Sequence, residues 1–207
     1  MQDETSSVTI SEGIPEPLMR DAAELYYEGR LKPTVRLKLT DRTRESIVKR
    51  LNPAYALSAV SSSGALVGFA AVADHHGGFW RRDGSNLPTV ISRWRRFSSF
   101  LSGSARSAFR WRSDAVGTLL LEGVFVVPGA VDSGIGERLL DETIANARHR
   151  GLTRIEVYVE EPNAIVKAVY ERHGFVNETP HAQYNIVRNQ TYRPYTRMAL
   201  DLTTNRA

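Results

Sequence analysis

The stretch Val124-Phe-Val-Val-Pro-Gly-Ala-Val-Asp-Ser-Gly-Ile-Gly-Glu-Arg-Leu-Leu140 decides how the rest of this 207-residue chain is read. A β-branched and aromatic run passes through Pro128 into a glycine-bearing loop. Helical spacing follows at Ile135, Leu139, Leu140, Ile144 and Ala147. A strand that feeds a helix through Gly134 and Gly136 lets successive backbone N–H groups converge on an anion, and the helix N-terminus adds about half a positive charge. The implied ligand carries phosphate. Three readings compete at this point. A dinucleotide loop needs a third glycine where Leu139 stands, although Glu156 lies about 20 residues on, where a ribose-binding acid belongs. A Walker loop fails, because no Gly-Lys-Ser/Thr follows. The third reading is a helix start that merely tolerates glycine.

Working outward, the stretch extends back into an apolar strand over 117–127, and the helix closes at His149-Arg150-Gly151 with basic residues at its negative end. A further strand is expected over 153–159, a second helix over 164–172 ending at Gly174, and strands over 182–188 and 195–202. Strand–helix–strand–helix order predicts a parallel pair. On the N-terminal side, the pattern predicts a strand over 8–12 and a helix over 16–28 stopped at Gly29 and Lys32-Pro33. A weaker helix over 42–51 and a hairpin of 55–60 with 66–73 follow. The second hairpin arm is almost wholly apolar, which suits a central strand.

The segment Asn163-Ala-Ile-Val-Lys-Ala-Val-Tyr170-Glu-Arg-His-Gly174-Phe175 narrows the choice. It puts an Asn just before a helix, a Tyr two turns on and Gly-Phe at its end. Together with Val126-Val127-Pro128 and Gly134-Ile135-Gly136, this arrangement resembles the GNAT superfamily of acyl-CoA-dependent N-acyltransferases. The resemblance is firm over 117–176 and follows strand and helix order over 8–76. It does not cover 79–115. It implies an α/β fold, a mixed and strongly twisted sheet flanked by helices, in one domain over 1–207. Val131 stands where the family usually has Arg or Gln, and Asp132 and Ser133 follow it.

The resemblance also implies roles. Val124, Phe125 and Val126 would offer backbone groups to the pantetheine arm of acetyl-CoA, the co-substrate. Val131, Asp132, Ser133, Gly134, Ile135 and Gly136 would hold its pyrophosphate. Asn163 would hydrogen-bond the arm, besides being among the best helix N-caps, and Tyr170 would protonate the leaving sulfur. Backbone amides can still come from Val131, but an acid at Asp132 opposes a pyrophosphate. That leaves a non-catalytic acyl-CoA sensor as an alternative.

Glu122 is the candidate base. It is the one charged residue in Leu119-Leu-Leu-Glu-Gly-Val-Phe-Val126, where its charge would attract an ammonium and burial would raise a carboxyl's pKa. The wording around it is similar to aminoglycoside N-acetyltransferases of the superfamily over a handful of residues. The other reading is a solvent-facing or Arg-paired strand carboxylate. The chain has no cysteine, which excludes a thiol nucleophile, a cysteine–zinc site and an iron–sulfur cluster. No Gly-x-Ser-x-Gly elbow is present. We therefore expect direct transfer to an amine acceptor in a ternary complex, with no covalent acyl-enzyme. No metal is expected either, because His75 and His76 would point oppositely along a strand.

The formal charge of +4 is local. Between Phe79 and Ala115 eight Arg face only Asp83 and Asp114, a net of +6 that leaves −2 elsewhere. All three Trp (80, 94 and 111) lie in this Arg/Trp-rich insertion, placed between the third and fourth strands. It reads as a solvated basic helix covering the sheet, as an acceptor-side wall, or as a dock for an acidic carrier, anionic lipid or RNA. Nucleic acid is not expected as the main partner; a homodimer is left open. The N-terminus is polar and acidic, and no apolar run approaches the roughly 20 residues of a membrane span, so a cytoplasmic protein is expected.

Overall fold

The computed structural model describes residues 7–32, 39–81, 115–160, 163–181 and 195–203. The first strand, β1 (Thr9–Glu12), leads through a 3-10 turn at Glu16–Leu18 into α1 (Met19–Tyr26). Helix α1 does not stop at Gly29 as its sequence suggests. It widens into a π turn, Tyr27–Leu31, that carries the glycine inside it. The reason is a close approach: a Cβ on Gly29 would lie 2.8 Å from Cδ1 of Phe125, and one on Gly123 would lie 2.9 Å from its Cζ. The Phe125 ring takes the space at both glycines. A short α2 (Asp41–Val48) follows, its first turn capped by the Thr40 hydroxyl, which accepts from the Thr43 amide.

The hairpin forms as expected from β2 (Ala56–Val60) and β3 (Leu66–Ala73). After the insertion come β4 (Thr118–Val126), a 3-10 turn over Pro128–Ser133, α3 (Ile135–His149), β5 (Arg154–Glu160) and α4 (Ala164–Arg172). The last two strands are β6 (Val176–His181) and β7 (Tyr195–Asp201). The penultimate strand therefore starts directly after Phe175. The strand expected over 182–188 lies outside the described residues. The polar run Asn177-Glu178-Thr179-Pro180 hides β6 in the sequence, and its ladder with β7 shifts register between Asn177 and Pro180, as a strand interrupted by proline must.

All seven strands among the described residues form one mixed sheet in the order β1-β2-β3-β4-β5-β7-β6. Only β4 and β5 are parallel, joined by the right-sized crossover through α3. The sheet carries a core on each face. On one, Leu119, Leu121, Ile155 and Val157 meet Leu139, Leu140 and Ile144 of α3 and Tyr170 of α4. On the other, α1 and its π turn press Tyr26 and Tyr27 against Phe69, Phe79 and Phe125. Phe69 and Phe125 stack at 4.9 Å, and Tyr26 meets Phe79 edge-on at 5.5 Å, a geometry worth about 0.5–1.5 kcal/mol per pair beyond burial.

The insertion is described only where it leaves and rejoins the sheet. Phe79 is fully buried, Trp80 stacks on Tyr26 at 5.7 Å and bridges Leu51, and the Arg81 amide donates to the Arg50 carbonyl. Its entry is thus fastened to α1 and to the end of α2. Its remaining arginines and tryptophans lie outside the described residues.

Candidate active site

Alternation along β4 changes parity partway. Leu119 and Leu121 face the α3 side, and so do Val124 and Val126. An odd and an even pair can share a face only if one extra residue intervenes. The register shows it: Val72 pairs with Leu121 and Ala71 with Gly123, which makes Glu122 the extra residue of a bulge. Glu122 and Gly123 therefore both turn toward the α1 side, where the half-buried Glu122 comes close to Gly78.

The same point is where β4 and β5 part. Their ladder runs from Thr118↔Arg154 to Leu121↔Val157 and ends. Beyond it β4 continues to Val126 on β3, while β5 continues to Glu160 on β7. The strands thus open a wedge flanked by the backbone of 122–126, a place where an extended ligand can add as a strand would. Val124 and Val126 line the α3 side of β4, half-buried, whereas the Phe125 side chain is core on the other face. Of Phe125, only the backbone is available to a ligand in the wedge.

The wedge leads into the phosphate-type loop. Val131 is 60% exposed, and Asp132, Ser133 and Gly134 are exposed beside it. The Ser133 hydroxyl donates back to the Ala130 carbonyl at 2.6 Å, which holds the 3-10 turn closed. Gly134 takes φ +78°, a left-handed conformation that L side chains resist, and a Cβ there would meet nothing within 4 Å. Glycine is needed here for its backbone and not for space. No side chain caps α3, so the amides of its first turn are presented to the loop, and Ile135 buries its side chain and contributes backbone alone. Glu137, the acid of that turn, is paired with Arg172 at the end of α4, which removes a charge that would oppose an anion.

Helix α4 packs on the same face of the sheet as α3. Asn163 caps it, its Oδ1 accepting from the Val166 amide at 3.2 Å, so the Nδ2 group is the donor this cap leaves over. Val166 and Val169 are only partly buried against the core. Tyr170 is 6% exposed and meets Phe175 edge-on at 5.2 Å, in the cluster that includes Val157, Val159 and, at its margin, Val124 and Val126. Burial alone pushes its hydroxyl up to about 12, which keeps it protonated and a donor across the ordinary pH range. Tyr170 and Glu122 thus lie on opposite faces of the sheet.

The histidine pair departs from expectation. His75 and His76 sit in the turn after β3, not along the strand, and their rings lie 3.7 Å apart. The described residues hold no group of three or more His, Cys, Asp or Glu able to bind a metal, and no helix among them is long and apolar enough to cross a membrane.

The family model described as Acetyltransferase (GNAT) family matches residues 16–175, more than three quarters of the chain. The chain belongs to the GNAT acetyltransferase family. Among solved structures, the S18-alanine N-acetyltransferase of Escherichia coli aligns with TM-score 0.57 at 16% identity, covering 95% of this chain and 94% of that one. The protein yncA of Salmonella typhimurium, solved with its cofactor acetyl-CoA, aligns with TM-score 0.59 at 20% identity over 98% of each chain. At these identities the likeness is one of fold. Mycothiol acetyltransferase of Beutenbergia cavernae is 46% identical over 61 residues, 30% of this chain and 20% of the relative. The shared stretch is about a fifth of that relative's length.

Proposed function

We propose that this chain, as a single acetyltransferase domain carrying 79–115 as an insertion, moves an acetyl group from acetyl-CoA to a primary amine. The observation that carries the reading is a coincidence of position. The Glu122 bulge, the parting of β4 from β5 and the uncapped start of α3 succeed one another along one continuous stretch. An acyl-CoA needs that succession: a reactive end at the bulge, an extended arm along 124–126 and a pyrophosphate at 131–136. In this reading Val131, Asp132 and Ser133 contribute amides, and the exposed Asp132 carboxylate turns outward. The Nδ2 of Asn163 reaches the arm.

The chemistry divides between the two faces. Glu122 accepts a proton from the acceptor ammonium, and the free amine attacks the thioester carbonyl. A C–N bond forms, the C–S bond breaks as the tetrahedral oxyanion collapses, and Tyr170 gives its proton to the leaving sulfur. The second proton lost by the acylated nitrogen restores the Tyr170 hydroxyl through solvent. A β4 amide freed from the ladder stabilises the oxyanion. Burial holds the hydroxyl protonated across the ordinary pH range, so its proton is in place when the sulfur leaves.

Free-thiol release from acetyl-CoA, measured across an amine panel, tests the proposal. The panel comprises a peptide beginning with alanine, a polyamine, an aminoglycoside and the acceptor of the mycothiol acetyltransferases. Amine-dependent release at a turnover on the order of 1 per second or more is expected for at least one member. Acetyl-CoA binding with no release above the amine-free rate would leave a sensor in place of an enzyme.

A further inference from the structure

Gly77 and Gly78 are unexplained by the cofactor motif, yet they lie where the acceptor-side carboxylate is set. The turn after β3 is built tightly. The Asp74 amide donates to the Gly77 carbonyl at 2.8 Å, the Phe79 amide to the Val72 carbonyl at 2.9 Å, and Gly78 bridges Ala73. A Cβ on Gly78 would sit 3.1 Å from Oε1 of Glu122 and 2.7 Å from the Cβ of Ala73. Its φ is not left-handed, so space and not backbone conformation excludes a side chain. One carboxylate oxygen of Glu122 therefore lies close over the bare backbone of Gly78.

That backbone is anchored from below. Asp74 is 2% exposed, and its Oδ1 accepts from the amides of His76 at 2.9 Å and Gly77 at 3.2 Å. Its Oδ2 accepts from Arg150 at 2.5 Å. Burial works to raise this carboxyl, and the amides with the guanidinium outweigh it, holding it below the ordinary range. Tyr55 closes the other side, its hydroxyl 2.9 Å from where a Gly77 Cβ would be. Arg150 caps the C-terminal end of α3, whose first turn faces the phosphate-type loop. One helix thus bears on both halves of the site.

We propose that the turn over residues 74–78, bolted to α3 through Asp74 and Arg150, is the positioning element for the Glu122 carboxylate, with Gly78 as the residue that leaves it room. This rests on the reading of Glu122 as the base. Gly78, Asp74 and Arg150 act through Glu122 and touch no substrate.

The test uses the full chain with the panel amine that gives the fastest thiol release. Gly78→Ala is expected to lower kcat about tenfold, part of the roughly 10²–10⁴ that a positioned base supplies. The acetyl-CoA dissociation constant should stay within about twofold, and the ¹³C carboxyl resonance of Glu122 should move. In a Glu122→Gln background, Gly78→Ala should have no further effect on kcat. Arg150→Gln, a change at a partly exposed side chain, should lower kcat in the same direction by about threefold and serves if Gly78→Ala fails to fold. Unchanged kcat and an unmoved resonance in both variants, with Glu122→Gln impaired, would overturn the positioning role and leave the base standing. A Glu122→Gln enzyme of undiminished kcat would overturn the base, and the positioning role with it.

Discussion

Replacing Glu122 with Gln is expected to lower kcat/KM for the amine about 10²-fold, the smaller end of what a positioned general base contributes. The change keeps the side chain's volume and removes its ability to take a proton. Glu122 is the bulge residue of β4, held at the point where β4 leaves β5. Its oxygen lies against Gly78 on the α1 side, away from the face that carries Val124 and Val126. Acetyl-CoA affinity should therefore change little, and the loss should fall on kcat. The rise of rate with pH should flatten in the variant. An equal loss in acetyl-CoA affinity would mean that Glu122 shapes the cofactor wedge and not the acceptor's chemistry.

Tyr170→Phe should lower turnover by a similar factor of about 10² while leaving acetyl-CoA affinity within a few-fold. The ring's packing against Phe175 survives the change, so lost activity reports the hydroxyl. A stability readout accompanies it. Burial raises the hydroxyl from 10.0 to about 12, so the folded protein holds this proton more tightly than the unfolded chain. Stability from this group is complete below pH 10 and is lost as pH climbs through about 12, a total of about 3 kcal/mol at 1.36 kcal/mol per pH unit. Denaturant melts of the wild type should show that decline between pH 10 and 12, and Tyr170→Phe should lack it. A Phe variant with wild-type turnover would remove the acid role.

Periodicity carried most of the fold because most elements bury one regular face. The helix over 164–172 is found with the bounds its sequence predicts, and the apolar second arm of the hairpin is a central strand, flanked by β2 and β4. What stayed hidden depends on partners distant in sequence. The β4 bulge exists only in the register with β3; nothing in Leu121-Glu-Gly-Val124 alone marks Glu122 as the extra residue. Gly29 looks like a helix stop because glycine usually is one, but here it admits the Phe125 ring from across the core. Strand β6 defeats propensity, since Asn177, Glu178 and Pro180 read as a turn and pairing with β7 overrides them. Gly134 was legible as the opening of a helix because a glycine at a strand-to-helix turn is a local event. Gly78 was not legible, because its role lies in the distance to one carboxylate oxygen.

The most direct test of the account is a calorimetric titration of acetyl-CoA into the wild-type chain and into Gly134→Val. Valine at φ +78° is strained by roughly 1–3 kcal/mol, and relief of that strain turns the amides of the loop away from a pyrophosphate. We expect one site per chain with a micromolar dissociation constant, weakened by about tenfold or more in the variant, with desulfated or dephosphorylated fragments of the cofactor binding in proportion to the pyrophosphate they keep. A wild-type chain that gives no heat with acetyl-CoA or with longer acyl-CoAs, while folded by its melt, would contradict the assignment of the wedge and its loop to an acyl-CoA.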